Sequence, residues 1–241
     1  MNVSRLAEPL ICQYHFIYVD FHETGFNMKF YRRNLPHWQP EGATYFITFI
    51  LADSLPRKAV KKILQQRTLL KQLSDKGLNT EDLKQQRSIH ERIFKKYEQL
   101  IHGQKSGSTW LSDPEIASIV KEAIHYRDKE KYTLYAYCIM SNHVHLVFQH
   151  LPDNNIKDYV YPITEIMASL KKYTARLANK RLDRTGKAFW HPESYDRVVR
   201  DSNELYNVIY YTLNNPVKAG LVKHWKDWPN SFCKDEFLEW F

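Results

Sequence analysis

The feature that most constrains the fold is a pair of neighbouring strand patterns that carries two histidines. Residues 132–139 and 143–148 are rich in aromatic and β-branched side chains, and the Met-Ser-Asn segment between them is typical of a tight turn. His143 and His145 stand two residues apart in the second pattern. Because side chains alternate between the faces of a strand, both imidazoles project to one face and Val144 to the other. This spacing can present two nitrogen ligands to one metal ion.

A second segment, residues 201–216, predicts a short helix that can complete such a site. Asp201 and Glu204 are spaced as a capping pair at a helix start, and Pro216 disfavours helix at the residue before it. Tyr211 and Asn215 are therefore expected one turn apart on this helix, along one edge of its apolar stripe. If the helix packs beside the histidine strand, a phenol and an amide oxygen face the metal. The stripe consists of Leu205, Val208, Ile209, Thr212 and Leu213.

The order of the remaining patterns indicates the fold class. Strands are predicted over 45–51 and 195–200, and helices over 57–73, 81–102, 114–125 and 161–181. The first two helices are interpreted as an inserted helical hairpin. The succession of strands and helices fits an antiparallel sheet with helices packed on it, which is an α+β fold. The buried stripe of the helix over 161–181 is predicted to consist of Ile163, Ile166, Met167, Leu170 and Leu177.

These segments resemble the signatures of the single-tyrosine HUH transposases. More narrowly, they are similar to the REP-associated tyrosine transposases, which act on repetitive extragenic palindromes. The two main signatures are His143-Val-His145 after Tyr-Cys-Ile-Met-Ser-Asn, and Tyr211-Thr-Leu-Asn-Asn-Pro-Val-Lys-Ala-Gly-Leu-Val. Further matches are Arg32-Arg-Asn-Leu-Pro-His-Trp-Gln-Pro, Ala43-Thr-Tyr-Phe-Ile-Thr-Phe, Trp110-Leu-Ser-Asp-Pro-Glu-Ile-Ala and Gly186-Lys-Ala-Phe-Trp-His-Pro-Glu-Ser-Tyr-Asp196. Together the matches span roughly residues 29 to 226.

The resemblance implies a ferredoxin-like α+β fold and a role for each residue of the two main signatures. His143 and His145 would bind a divalent metal, Mg or Mn, and Asn215 would complete its protein ligands. Relatives often have Gln at the position of Asn215, and Asn keeps the carbonyl oxygen with one methylene fewer. Tyr211 would be the nucleophile that cuts single-stranded hairpin or palindromic repeat DNA, leaving a 5′-phosphotyrosine link and a free 3′-hydroxyl. The implied enzyme is a metal-dependent endonuclease and strand transferase.

The charge of the chain favours a polyanionic partner. Its net charge is +8 and its pI is near 9.2. Between residues 157 and 200, ten Lys or Arg stand against five Asp or Glu, so we expect a basic track next to the proposed site. Basic tracks with aromatic side chains suit unpaired strands. The candidate nucleic-acid-binding residues are Lys171, Lys172, Arg176, Lys180, Arg181, Arg184 and Trp190, with Arg32, Arg33, His37 and Trp38 as a second patch.

The sequence also predicts how the chain is organised. Residues 1–28 are interpreted as an N-terminal extension, 29–226 as the HUH transposase domain with its helical insertion at about 57–102, and 227–241 as a C-terminal tail. Three widely spaced cysteines indicate neither a disulfide framework nor a zinc knuckle. The longest apolar run is too short to cross a bilayer. We therefore expect a cytoplasmic protein without membrane contact, acting as a monomer or a homodimer.

Other interpretations of the same residues remain open. An isolated His-x-His pair on a strand is more often packed or hydrogen-bonded than bound to metal. Phe189 and Trp190 suit a core as well as they suit base stacking, and the basic residues fit a solvated helix face. A domesticated, non-cleaving protein that binds palindromic DNA or structured RNA would keep the basic surface but would not need Tyr211. A structural metal site predicts four closed ligands, whereas these segments leave positions open.

Overall fold

A computed structural model of the protein places the histidine strand in the middle of a five-stranded sheet. It describes residues 42–54, 92, 94–96, 98–101, 107–152 and 162–241. The strands of this sheet are β1 (Thr44–Ile50), β2 (Tyr132–Ile139), β3 (His143–His150), β4 (Tyr195–Val199) and β5 (Ser231–Cys233). The helices with fully described bounds are α1 (Pro114–His125), α2 (Pro162–Arg181), α3 (Ser202–Leu213) and α4 (Asn215–Lys218). The described residues between 92 and 101 are helical as well.

The sheet is antiparallel and has the strand order β4, β1, β3, β2, β5. α1 lies in the chain between β1 and β2, and α2 connects β3 to β4. Without β5, this is the βαββαβ arrangement of a ferredoxin-like fold, so the predicted fold class is confirmed. Because β3 pairs with β1 on one side and β2 on the other, its backbone is held firmly along its whole length.

The sheet separates two hydrophobic clusters, and this decides which helix meets the histidines. α1 and α2 pack on the face that carries Val144, Leu146 and Phe148. α3 packs on the opposite face, together with Phe46 and Val147. His143 and His145 alternate with Val144 and lie on the α3 face, as the strand pattern predicts.

Local signals account for the starts of α1 and α3. The carboxylate of Asp113 accepts a hydrogen bond from the backbone N–H of Glu115 at 2.9 Å, with Pro114 in the first turn. The Asp201 carboxylate accepts from the N–H of Glu204 at 2.8 Å, so the predicted capping pair is confirmed. All five residues of the predicted α3 stripe are buried.

The buried stripe of α2 differs from the prediction at one position. Leu177 is only half-buried, while Thr174 and Ala178 face the core. The Thr174 hydroxyl donates to the carbonyl of Leu170 at 2.8 Å and accepts from the indole Nε1 of Trp190 at 2.8 Å. A hydroxyl satisfied in this way can be buried, and its small side chain lets the helix approach the sheet closely. Polarity patterns alone place a threonine at the surface, which is why the prediction chose Leu177.

The last residues of the chain contribute to the sheet and to its second cluster. β5 pairs with β2, with Ala136 opposite Cys233. Trp225 and Phe237 are buried in the cluster under α3. A three-residue strand carries too little periodicity to be recognised in a sequence. The segment interpreted as a C-terminal tail therefore supports the same face of the sheet as the histidines.

Several predictions concern residues outside the described part of the chain. These are the N-terminal extension, the patch of Arg32, Arg33, His37 and Trp38, and most of the helical insertion. The proposed boundaries of the domain stay predictions. Among the helices of the described ranges, none has the length and apolar character needed to span a bilayer.

Candidate active site

The two histidines begin β3 and are almost completely buried. Their ring centroids lie 4.8 Å apart. The Nδ1 atom of His143 lies 2.6 Å from the amide oxygen of Asn142, and that of His145 lies 2.8 Å from the hydroxyl of Thr48. The amide nitrogen of Asn142 donates to the carbonyl of Ile101 at 3.5 Å, which directs its oxygen at His143. An amide oxygen only accepts, so Nδ1 of His143 carries the proton.

This proton on Nδ1 leaves Nε2 of His143 with its lone pair. The same tautomer of His145 donates from Nδ1 to Thr48 and accepts at Nε2. Histidines that ligate a metal through Nε2 are held in this way by an oxygen acceptor at Nδ1. The orientation and tautomer of both rings therefore suit metal coordination.

Asn215 lies directly beside the histidine pair. It is fully buried, and its amide nitrogen donates to Nε2 of His145 at 3.0 Å. Its amide oxygen is buried and has no hydrogen-bond partner among the described residues. A half-turn of the amide would bring this oxygen to the same place, where it and Nε2 could share one cation. The donor set of two imidazoles and one amide oxygen thus fits the implied ion.

The backbone around Asn215 differs from the prediction of one continuous helix. α3 ends at Leu213, Asn214 caps it, and Asn215 is the first residue of α4. Pro216 has no N–H to continue the hydrogen-bond ladder toward Thr212, so the helix is interrupted there. The break keeps Asn215 about one turn after Tyr211 while aiming its side chain into the sheet.

Tyr211 is the third side chain at this place. Its ring centroid lies 5.2 Å from that of His145, 6.0 Å from that of Phe46 and 5.4 Å from that of Phe94. Its hydroxyl is buried and has no hydrogen-bond partner among the described residues. The ammonium group of Lys218 lies 5.7 Å from the ring centroid. A phenol without a fixed partner, next to two histidines and near a cation, is placed as a nucleophile would be.

The neighbouring tyrosines of α3 are placed differently. Tyr206 and Tyr210 are 40% and 50% exposed, and their rings stack on each other at 6.1 Å on the outer side of the helix. Neither side chain points toward the sheet. Of the three tyrosines on α3, only Tyr211 joins the histidine site.

The described residues contain no ready-made cluster of three His, Cys, Asp or Glu side chains for a metal. The third ligand implied by the resemblance is the amide of Asn215, and its role as a ligand stays a prediction. The buried carboxylate of Glu98 approaches His145 from the helical residues near 100, with Oε2 at 4.0 Å from Nε2.

Most of the predicted basic track lies on α2, on the face of the sheet opposite this site. α2 packs on the sheet face opposite the histidines, so the sheet stands between them. The ammonium group of Lys171 donates to the carbonyls of His191 and Pro192 at 3.0 and 3.3 Å. Arg181 pairs with Asp113 and Glu115, and its hydrogen bond lowers the pKa of the Asp113 carboxyl.

The remaining candidates of the track divide into exposed and packed side chains. Lys172, Arg176 and Lys180 are exposed on the outer face of α2. The guanidinium of Arg184 lies 3.8 Å above the ring of Trp110. Trp190 is in the core, so the structure does not bring it to a DNA-facing surface as expected. Its satisfied Nε1–H explains why an indole can be buried there.

Four side chains of the site were not singled out from the sequence. Thr48 and Asn142 orient the histidines, Phe94 covers Tyr211, and Glu98 approaches His145. Asn142 directly precedes His143, and this adjacency was a usable signal. The other three reach the site through tertiary packing and carry no pattern of their own.

Comparisons with known proteins found three similarities. A putative REP-associated tyrosine transposase of Haemophilus influenzae (strain ATCC 51907 / DSM 11121 / KW20 / Rd) is 33% identical over 104 residues, covering 42% of this chain and 58% of that protein. A solved REP-associated tyrosine transposase bound to a REP hairpin is similar with a TM-score of 0.45 and 18% identity, over 85% of this chain and 82% of that one. Residues 93–211 match the family model of IS200-like transposases. Over these residues, which hold both histidines and Tyr211, the chain is similar to the IS200-like transposases.

Proposed function

We propose that this protein is a divalent-metal-dependent enzyme that nicks and rejoins single-stranded DNA through Tyr211. The convergence of Tyr211, His145 and Asn215 from α3, β3 and α4 carries the proposal. Tyr211 and Asn215 each bury a polar atom that has no hydrogen-bond partner among the described residues. Buried polar groups are normally satisfied, so such atoms mark a place where a ligand completes the site.

The tyrosine supplies a covalent route for the reaction. Its phenolic oxygen attacks the phosphorus of a DNA phosphodiester, and the bond from phosphorus to the 3′-oxygen breaks. The proton of the phenol is lost to solvent or to a nearby acceptor, and the leaving 3′-oxygen takes up a proton. The product is a 5′-phosphotyrosine link that retains the phosphoester bond. A 3′-hydroxyl can attack this link in the reverse sense, so cutting and joining need no ATP.

The residues that would hold the ion are the Nε2 atoms of His143 and His145 and the amide oxygen of Asn215. Mg or Mn suits oxygen ligands, and the two imidazoles favour Mn. A divalent ion held there would polarise the scissile phosphate and neutralise developing negative charge. Thr48 and Asn142 keep the rings in the tautomer that this requires.

Hairpin or palindromic repeat DNA is the proposed substrate. The similar Haemophilus influenzae protein is named for its association with REP elements. The exposed cations of α2 and the net charge of +8 suit a polyanion. A protein of this kind is proposed to work in the cytoplasm, as a monomer or a homodimer.

The test is the direct capture of the covalent link. The purified chain is incubated with a library of end-labelled single-stranded hairpins, with Mn²⁺ or with EDTA, and the products are separated on a denaturing gel. We expect a protein–DNA adduct only with Mn²⁺, and mass spectrometry should place it on Tyr211. Binding without any adduct would favour the non-cleaving DNA-binding protein instead, and an adduct on another tyrosine would overturn the assignment.

A further inference from the structure

The outer face of α2 combines an exposed aromatic ring with exposed cations. Tyr173 is 44% exposed, although its ring is large and mostly apolar. The guanidinium carbon of Arg176 lies 5.8 Å from the centroid of this ring. Tyr173, Arg176 and Lys180 are spaced by three and four residues, so they share one side of the helix. Lys172 is exposed next to them, so a planar surface faces solvent between positive charges.

The charge on this part of α2 has one sign. Between residues 166 and 182 the chain has five Lys or Arg and no Asp or Glu. Arg181, near the end of this stretch, pairs with Asp113 and Glu115 of the α1 start. The cations nearer to Tyr173 face solvent instead. A polyanion is the partner whose charge complements this face.

An exposed ring between cations fits an unpaired DNA strand better than a duplex. The bases of a duplex are stacked on each other, so a duplex offers phosphates to the cations but no base face to the ring. An unpaired strand offers both, because every base has a π-face that can stack on an aromatic side chain. The Tyr173 ring has two faces, so its contact with Arg176 leaves one for a base.

The ring of Tyr173 stands on a firmly held part of α2. The hydroxyl of Thr174 accepts from the indole Nε1 of Trp190 at 2.8 Å. The ammonium group of Lys171 donates to the carbonyls of residues 191–192 at 3.0 and 3.3 Å. These contacts lie on either side of Tyr173 in the sequence and tie the helix to the segment before β4. A ring on such a support loses little freedom when a base stacks on it.

This part of α2 lies beside the end of the sheet at which β3 begins. The N–H of His191 donates to the carbonyl of Ile50 at 2.8 Å, and Ile50 is paired with His143 across β1 and β3. The segment that holds α2 near Tyr173 is therefore attached to the strand ends that carry the candidate site. A DNA strand that leaves the site around this edge of the sheet meets α2 near Tyr173.

We propose that this face of α2 is a binding site for an unpaired nucleotide. The base stacks on the ring of Tyr173, and Lys172 and Arg176 contact the flanking phosphates. The site rests on the proposed function for the identity of the strand, which is the DNA that Tyr211 cuts. It requires neither the metal ion nor the reaction, so binding in EDTA tests it separately.

The experiment measures binding of a single-stranded oligothymidylate to the full-length chain in EDTA, by fluorescence anisotropy of an end label. The strand has about 20 nucleotides, which exceeds the usual size of one single-strand site, and carries one 2-aminopurine whose emission is quenched by stacking. We expect Tyr173→Ala to raise the Kd by about fivefold or more and to reduce the quenching, because a base stacked on an aromatic side chain contributes at least that much. Tyr173→Phe keeps the ring and should restore both.

Matched comparisons separate stacking from charge and from a general loss of surface. Tyr126→Ala is the control, because it removes a tyrosine that is 81% exposed at the end of α1 and should leave the affinity unchanged. Tyr173→Ala removes no charge, so the slope of log affinity against log salt should stay that of the unaltered chain. A duplex of the same length should bind Tyr173→Ala and the unaltered chain equally.

Each outcome supports or overturns the site. Single-strand affinity that Tyr173→Ala leaves unchanged, an equal loss in Tyr126→Ala, an equal loss for the duplex, or a changed salt slope would each overturn it. So would the absence of any single-strand binding by the unaltered chain. Because Tyr173 is exposed, Tyr173→Ala should melt at the temperature of the unaltered chain, and a clearly lower melting temperature would assign the ring a structural role instead.

The two proposals fail in different ways. An adduct on Tyr211 together with unchanged DNA affinity in Tyr173→Ala would remove only the site on α2. Single-strand binding that depends on Tyr173, without an adduct in the presence of Mn²⁺, would remove the nicking activity and keep the site.

Discussion

Thr48 and Asn142 fix the two histidines before any ligand arrives. Each provides an oxygen to an Nδ1 atom, at 2.8 Å for Thr48 and 2.6 Å for Asn142. A ring that is already oriented loses little freedom when it binds an ion, so the acceptor contributes to affinity without touching the ion. Tyr211 is positioned differently, by aromatic packing against Phe46 and Phe94 and without a hydrogen bond to its hydroxyl among the described residues. Its oxygen remains available for chemistry.

Replacing Thr48 by Val should weaken metal binding while preserving the fold. Valine has nearly the same shape but cannot accept from Nδ1 of His145, and loss of such an acceptor typically costs about 10- to 100-fold in metal affinity. Isothermal titration with Mn²⁺ measures the change. Thr48→Ser keeps the hydroxyl and should bind nearly as tightly as the unaltered chain. Equal affinity of Thr48→Val and the unaltered chain would show that Thr48 does not orient the ring.

Tyr211→Phe should abolish both cleavage and the covalent adduct and leave DNA binding nearly unchanged. Only the phenolic oxygen is removed, while the ring keeps its contacts with His145 and Phe94. Tyr210→Phe is the matched control, because the same change is made one residue away on the exposed side of α3. A denaturing gel measures the adduct and a filter-binding assay measures affinity. Cleavage that persists in Tyr211→Phe would exclude this tyrosine as the nucleophile.

At the scale of secondary-structure elements, the sheet separates the candidate active site from the layer formed by α1 and α2. α3 and α4 deliver Tyr211 and Asn215 to one face, and α1 and α2 occupy the other. Lys172, Arg176 and Lys180 on α2 are therefore a surface across the sheet from the site. A single strand that contacts both has to pass around an edge of the sheet. Residues 189–191 run along one such edge, where the N–H of His191 donates to the carbonyl of Ile50 at 2.8 Å.

Changing Lys172, Arg176 and Lys180 together to Ala should weaken the binding of single-stranded DNA. The affinity should also depend less steeply on salt concentration. If each cation contacts one phosphate, the slope of log affinity against log salt should fall by about 2 in magnitude. The control changes the exposed Lys129 and Lys131, which lie at the turn before β2, at the far end of the sheet from His143. Fluorescence anisotropy at several salt concentrations gives both slopes. Equal slopes for the triple variant and the unaltered chain would show that these cations of α2 do not contact the DNA.

At the scale of the whole molecule, the face that holds the site is supported by residues from distant parts of the chain. Phe46 from β1, Leu213 from α3, and Trp225 and Phe237 near the end of the chain share one buried cluster. Cys138 and Cys233 are buried at the same side of the sheet on β2 and β5, and burial raises the pKa of both thiols to about 12. A raised pKa keeps a thiol protonated near neutral pH, and the protonated thiol is a poor nucleophile.

Phe237→Ala should destabilise the chain although it lies far from Tyr211 in sequence. Truncating a buried phenylalanine costs about 3 kcal/mol or more of unfolding free energy. Leu221→Ala is the control, because this side chain is 52% exposed and its loss should change stability by no more than about 0.5 kcal/mol. Urea denaturation followed by tryptophan fluorescence measures both. Equal midpoints for the two variants would show that the last residues do not support the sheet.

The sequence by itself determined the parts of this protein that depend on neighbours along the chain. Alternation along β3 placed His143 and His145 on one face, the helical repeat of α3 selected its buried side, and Asp201 and Pro216 marked where the helix begins and where it is interrupted. Local geometry is enough for these features, because strand and helix periods are fixed by the backbone.

The tertiary structure alone decided which distant side chains meet at the site and which face they share. Thr48 reaches His145 across 97 residues of sequence, because β1 and β3 pair in one register and no local pattern encodes that register. Glu98 and Phe94 come to the site from a helical segment whose periodicity predicts a helix but not the surface it covers. The same limit explains why the basic helix was expected beside the histidines and lies across the sheet, since a charge count gives no information about the face on which a helix packs.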